Sequence, residues 1–149
     1  MSRVVSDDYC DNWDRIRWAG ALKQAIKSER GQAVLRELET ALLSLPEKSL
    51  IGGAFSYCGQ VCALGALAVK RKVDEGKEGS TARYEVEEEF SDILDDSEMV
   101  ARRLSIAHTL AWQVMYENDE RSCGRTPEQK YAHVLAWVRE RIKPVAHKA

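Results

Sequence analysis

The sequence predicts an all-α fold, a compact bundle of five or six helices around a central apolar helix. Apolar residues recur at steps of three and four along most of the 149 residues, which is the helical period. One run, at about residues 60–72, is apolar on nearly every side and then ends in basic residues. A chain of this length can bury roughly two-thirds of its unfolded surface. We therefore expect a single helical domain over residues 1–149.

Two amphipathic helices are predicted first. One covers residues 13–28, with Asp11 or Asn12 available as its N-cap. Its apolar stripe consists of Trp13, Ile16, Ala19, Leu22 and Ile26. The other covers about residues 31–45 and ends there, because Pro46 disfavours helical geometry at the residue before it.

The central apolar run follows a predicted loop or short hairpin at residues 47–59. Such a run is either a buried strand or a buried helix. Ala and Leu outnumber β-branched residues, and the basic residues at its end suit a helix C-terminus, so we interpret it as a helix. Gly65 costs about 1 kcal/mol there relative to Ala, which close packing against a neighbour can offset.

Three further segments complete the predicted bundle. Residues 82–94 form a helix rich in glutamate, and residues 97–117 form either one helix or two that meet near Ser105. The last helix has the clearest start, because Thr126, Pro127 and Gln129 combine an N-cap, a first-turn proline and a capping box. Pro144 ends it.

The charge of the chain is distributed unevenly. The formal net charge is only −2, but residues 74–98 hold eleven acidic residues and two basic ones. This segment is either a solvated face that aids solubility or a surface that binds a basic cleft on another protein. Trp18 lies off the stripe of the first helix and is a second candidate contact. The candidate protein-binding residues are Glu85, Glu87, Glu88, Glu89, Asp92, Asp95, Asp96 and Trp18.

Residues 100–114 resemble a helix-turn-helix, with Ala101 at the tight-packing position and Ser105 at the turn. The candidate DNA-binding residues are Arg102, Arg103, His108, Thr109 and Gln113. The predicted recognition helix has no Arg or Lys, and acidic residues flank it on both sides. We therefore expect it to repel double-stranded DNA. A structural helix corner or an uninterrupted helix is the alternative, and nucleic acid is not the expected partner.

The sequence contains neither a complete set of metal ligands nor a known catalytic motif. Cys58 and Cys62 have a spacing close to that of metal ligands, but zinc needs four ligands and no second pair accompanies them. The chain has no G-x-S-x-G elbow, phosphate-binding glycine loop or H-E-x-x-H pair. We predict no cofactor and no catalytic residue. An enzyme with an unrecognised site near Asn118 and Asp119 is kept as an alternative.

The N-terminus has no apolar stretch typical of a signal peptide, and no segment is long enough to span a bilayer. Four cysteines are too few for a disulfide scaffold, so we expect reduced thiols and a cytoplasmic location. The composition, 44% hydrophobic and 31% charged, excludes a collagen-like or low-complexity chain.

Five segments occur in a characteristic order: CDNW at 10–13, RGQAVLREL at 30–38, LPEKSLI at 45–51, VCALGA at 61–66 and MYENDE at 115–120. Together with the Thr126-Pro127 helix start, they resemble a family of small uncharacterised proteins of tailed phages and prophages of Gram-negative bacteria. The acidic region 80–98 departs from the family pattern. The resemblance implies an accessory protein made in a bacterial host, and it assigns no functional residue.

The leading hypothesis is therefore a phage or prophage accessory protein that binds a host or phage protein through its acidic face. Such binding would inhibit a defence or replication factor without catalysis. The DNA-binding regulator and the enzyme near Asn118 are the alternatives.

Overall fold

The computed structural model describes residues 2–57 and 59–144, with side chains from residue 13 onward. In this part of the chain, seven helices and one short hairpin follow one another. They are α1 (Ser2–Lys27), α2 (Glu29–Leu43), β1 (Ser56–Tyr57), β2 (Gln60–Val61), α3 (Ala63–Asp74), α4 (Gly79–Phe90), α5 (Ser97–Leu104), α6 (His108–Asp119) and α7 (Pro127–Arg141). The all-α prediction is confirmed. The structure has seven helices in the described residues, one more than the five or six predicted, because residues 97–119 form the separate helices α5 and α6 on either side of Ser105.

Helix α3 lies at the centre, as predicted, with α2, α4 and α6 packed around it. All of its residues from 63 to 69 are buried. The helix begins later than residue 60, because Val61 pairs with Ser56 in the antiparallel hairpin and Cys62 is the N-cap. A Cβ on Gly65 would lie 1.8 Å from the carbonyl oxygen of Phe55. Close packing against a neighbour therefore explains the glycine.

The chain reverses between α5 and α6 at a tight corner. Ser105 has left-handed backbone geometry, with φ 56° and ψ 44°. The amide of Ile106 donates to the carbonyl oxygen of Ala101 at 3.0 Å, which is the hydrogen bond of a Schellman motif. Residues 97–117 therefore form two helices that meet at Ser105, which is one of the two alternatives that the sequence left open.

Helix α1 differs from its prediction in length and in the face it buries. It begins at Ser2, so positions 11 and 12 lie inside the helix and are not its N-cap. The predicted stripe is wrong in its first half, since Trp13, Ile16 and Ala19 are exposed. Among the side chains of the helix that the structure describes, the half-buried ones are Trp18, Leu22, Ala25 and Ile26. The reason is tertiary: the turn at Ser28 folds α1 back onto α2 and α6, and this fixes which face is covered.

The predicted capping box of the last helix is present. The Thr126 hydroxyl accepts from the Gln129 amide at 3.1 Å, and the Gln129 side chain accepts from the Thr126 amide at 3.0 Å. Helix α7 packs against α2 and α6. No helix of the described ranges is long and apolar enough to cross a membrane.

Candidate functional site

The predicted acidic residues fall into two sets, and the first set is neutralised within the protein. Lys72 of α3 places its Nζ 3.6 Å from the carboxylate of Glu85 and 3.1 Å from that of Glu89. Lys77 Nζ lies 2.8 Å from the Glu85 carboxylate. The hydrogen bond from Lys77 and the nearby positive charges lower the pKa of Glu85 below its usual value. Glu85 and Glu89 therefore hold α4 against α3 and its following loop.

Partial burial of Lys72 by itself would lower its pKa. The hydrogen bonds and negative charges of Glu89 and Glu85 have a larger effect in the opposite direction, so the pKa of Lys72 is raised above its usual value. Lys72 therefore stays protonated at neutral pH. The positive charge it supplies is shared by two carboxylates of the acidic segment.

The second set has no internal cation. The carboxylates of Glu87, Glu88, Asp92 and Asp95 make no hydrogen bond or ion pair within the described residues. We refer to these four residues as the acidic surface. Three of them are exposed, and Glu87 is half-buried. Asp96 is not part of this set, because its carboxylate accepts from the Met99 amide at 3.1 Å and caps α5.

An open depression of about 600 Å³ adjoins the acidic surface. Its walls carry Asp92, Asp95 and Glu98, and His108 lies at its edge. Tyr84 is 64% exposed on α4, one helical turn before Glu88. The arrangement offers negative charge beside an exposed aromatic ring, a combination suited to a basic protein surface.

Trp18 lies in a different place and contacts the protein itself. Its ring meets the ring of His108 edge-on at 5.4 Å and that of Trp112 at 5.5 Å. Trp112 in turn stacks on Tyr116 with a centroid distance of 5.1 Å. Trp18 therefore attaches α1 to α6. It contacts His108, which lines the depression beside the acidic surface, but Trp18 itself does not line that depression.

Four of the five candidate DNA-binding side chains are used within the protein. Arg102 pairs with Glu98 at 3.1 Å, and Arg103 donates to the backbone carbonyl of Glu89. His108 shares a hydrogen bond of 2.8 Å with Ser97, and Gln113 donates to Glu117 at 2.7 Å. In addition, α1 covers part of α6 through Trp18. This geometry does not favour recognition of DNA bases by the side chains of α6.

Asn118 connects three parts of the chain. Its amide oxygen accepts from the backbone amide of Ala63 at 3.0 Å, at the first turn of α3. Its amide nitrogen donates to the Ile51 carbonyl at 2.9 Å and to the Asp119 carboxylate at 2.8 Å. The adjacent cavity measures only about 90 Å³, whereas ligand pockets usually measure some 300 to 1,000 Å³. Asn118 therefore has a structural role, and the geometry does not favour a catalytic site there.

Among the described residues the cysteines form no metal centre, and the free thiol of Cys62 is buried whereas that of Cys123 is exposed. Burial raises the pKa of the Cys62 thiol to about 12, so it stays protonated at neutral pH. No group of three or more His, Cys, Asp or Glu side chains is placed to hold a metal ion among the described residues. Cys58 and the side chain of Cys10 lie outside those residues.

One polar cluster had no signal in the sequence. The carboxylate of Glu117 is buried between α6 and α7, 2.9 Å from His133 Nε2 and 2.7 Å from Gln113 Nε2. The spacing of Gln113 and Glu117 is helical, but the pairing with His133 depends on how α7 packs against α6. The cluster links two helices of the core.

Comparison of the chain with protein families, with curated proteins and with solved structures finds no match. The acidic surface is the site that the geometry supports best, because three of its four carboxylates are exposed and none has a partner among the described residues.

Proposed function

We propose that the protein acts by binding a basic surface of another protein through its acidic surface. The proposal rests on the four carboxylates of the acidic surface, which lie within nine residues of sequence. None of them makes an ion pair or accepts a hydrogen bond among the described residues. Their like charges repel one another. A partner rich in Lys and Arg would relieve this repulsion and would associate faster because of the attraction between the two surfaces.

The partner class follows from the same charges. A protein that normally holds a phosphate backbone carries a basic cleft, and the carboxylates of α4 and of the loop after it would compete for such a cleft. The resemblance to phage and prophage proteins implies a bacterial host. We therefore infer that the partner is a host or phage protein, and that binding inhibits a defence or replication factor.

The test compares two variants with the same change of charge. The first replaces the acidic surface: Glu87→Gln, Glu88→Gln, Asp92→Asn and Asp95→Asn. The control replaces four carboxylates elsewhere that likewise make no ion pair within the described residues: Asp14→Asn, Glu47→Gln, Glu120→Gln and Glu128→Gln. Each protein is immobilised and exposed to bacterial lysate at low and at high salt, and retained proteins are identified by mass spectrometry.

We expect the wild-type protein and the control to retain the same basic protein at low salt, and the acidic-surface variant to lose it. With the purified partner, the association rate should fall about tenfold in that variant and should depend less on salt. Equal retention by both variants, or retention that does not respond to salt, would refute the proposal.

A further inference from the structure

A groove of about 570 Å³ runs along one side of α3. The α3 residues that line it recur at steps of three and four, so a single face of the helix forms its floor. The groove is closed on one side by the end of α2 and on the other by the start of α4. Its apolar lining residues are Ala41, Leu45, Val61, Ala66, Val69 and Val73. Its volume falls within the range of small-molecule sites, about 300 to 1,000 Å³.

The side chains that line the groove favour an aliphatic ligand over an aromatic one. The apolar side chains are aliphatic, and no aromatic ring lines the groove in the residues that the structure describes. A nucleobase or another flat ring would therefore find nothing to stack on. Val73, at the edge of the groove, is 42% exposed, which leaves aliphatic surface uncovered. The aliphatic side chains of α3 are therefore suited to contact an aliphatic chain.

One cation on the α4 wall has no partner. Arg83 is half-buried, and its guanidinium makes no hydrogen bond or ion pair within the described residues. Lys70, the other cation of the groove, is paired with Asp74 at 2.7 Å. Glu87, one turn after Arg83 on α4, makes no ion pair with it. Arg83 therefore gives the α4 wall of the groove a positive charge that no described residue neutralises.

A carboxylate would supply the missing partner, because two parallel charge-assisted hydrogen bonds fit the guanidinium fork. Glu47 is the one unpaired acid among the residues lining the groove. It lies on the α2 side, where its exposure to water screens its charge. The charges of the groove therefore favour a single negative group at the α4 end.

We propose that this groove binds a straight-chain aliphatic carboxylate, with the chain along the α3 floor and the carboxylate on Arg83. This binding site shares no residue with the acidic surface and does not depend on the function proposed for that surface. Dodecanoate, used below its micelle concentration, is the probe.

The experiment measures dodecanoate binding by isothermal titration calorimetry to the full chain and to three variants. Arg83→Gln removes the cation and should weaken binding tenfold or more. Val73→Glu places a negative charge at the edge of the groove and should weaken it by at least as much, and because Val73 is exposed this variant should fold. Arg102→Gln, on α5 outside the groove, is the matched control and should bind like the wild-type protein.

Dodecylamine, with the same chain and the opposite charge, should bind at least tenfold more weakly than dodecanoate. The proposal is overturned if the wild-type protein does not bind dodecanoate, or if dodecylamine binds equally well. It is also overturned if neither groove variant weakens binding, since the ligand would then occupy another apolar surface. Melting curves by circular dichroism show whether each variant is folded.

Discussion

Helices α1 and α3 are attached to the protein in contrasting ways. Every residue of the first half of α3, from 63 to 69, is buried. Among the described side chains of α1, from residue 13 to residue 27, none is buried and four are half-buried. Both helices have a close backbone contact at a glycine, α3 through its own Gly65 and α1 through Gly31 of α2. Burial, rather than helix length, therefore decides which of the two helices holds the fold together.

The difference has a physical cause in how each helix gains free energy. Buried apolar area contributes about 25 cal/mol per Å², so α3 is stabilised along its whole first half. Helix α1 depends instead on a few side chains such as Trp18, and it would open at lower cost than the core.

The first prediction compares Cys62, the N-cap of α3, with the exposed Cys123. Cys62 is buried and its pKa is raised to about 12, so it should react only when the core unfolds. Core opening costs about 5 kcal/mol or more in an ordinary domain, which corresponds to protection of roughly a thousandfold or more. Iodoacetamide labelling at pH 8, followed by peptide mass spectrometry, measures the ratio of the two rates. Equal rates would contradict the buried placement of Cys62.

The same thiol makes stability depend on alkaline pH. Its pKa is higher in the folded protein than the ordinary value of 9.0, so the folded state retains the proton more strongly. This stabilisation is complete below pH 9 and is lost as the pH rises towards 12. Urea unfolding at pH 8 and at pH 10.5 should show a smaller loss of stability in Cys62→Ala than in the wild-type protein.

The second prediction places the same substitution in each helix. Gly65→Ala should destabilise the protein by about 3 kcal/mol, because the new methyl group would overlap the Phe55 carbonyl oxygen. Gly20→Ala in α1 meets no atom within 4 Å. It should therefore stabilise the protein by about 0.5 to 1 kcal/mol through helix propensity. Urea denaturation measures both, and a result of the same sign at the two sites would refute the contrast.

Local signals predicted the elements that depend on neighbouring residues. The capping box at Thr126 and the central position of the apolar run with Gly65 were predicted from short stretches of sequence, and the corner at Ser105 was one of two alternatives. The contact face of α1 could not, because Trp18 lies outside the periodic stripe. Its packing follows from the turn at Ser28, which brings α1 back onto α6.

The site was predicted less completely than the fold, for a similar reason. The excess of acidic residues is visible in the sequence, but its division into neutralised and free carboxylates is not. Glu85 and Glu89 are neutralised by Lys72, more than ten residues earlier on α3. The groove at Arg83 likewise depends on three helices and the hairpin meeting at one place.

The third prediction concerns Asn118, which ties α6 to the start of α3. Asn118→Ala should cost about 2 kcal/mol, because the amide of Ala63 and the carbonyl of Ile51 lose the buried hydrogen bonds they make with this side chain. Asp119→Ala removes only one of the contacts of Asn118 and should cost less. Thermal unfolding of both variants checks the order. Equal costs would mean that Asn118 does not anchor α3.

The fourth prediction tests the attachment of α1. Trp18→Ala removes edge-on contacts with His108 and Trp112, each of the kind worth about 0.5 to 1.5 kcal/mol. It should lower overall stability by only about 1 kcal/mol, but hydrogen exchange in α1 should accelerate about tenfold while exchange in α3 follows overall stability. Ile16→Ala, on the exposed side of α1, is the matched control and should change stability by less than about 0.5 kcal/mol.

A second substitution at the same position separates ring packing from hydrogen bonding. The Trp18 indole nitrogen is buried and has no hydrogen-bond partner within the described residues. Trp18→Phe keeps an aromatic ring against α6 and removes a polar group that gains nothing from burial. It should therefore retain most of the stability that Trp18→Ala loses. If Trp18→Phe were as destabilising as Trp18→Ala, an aromatic ring at this position would not be enough to attach α1, and the contrast with α3 would need another explanation.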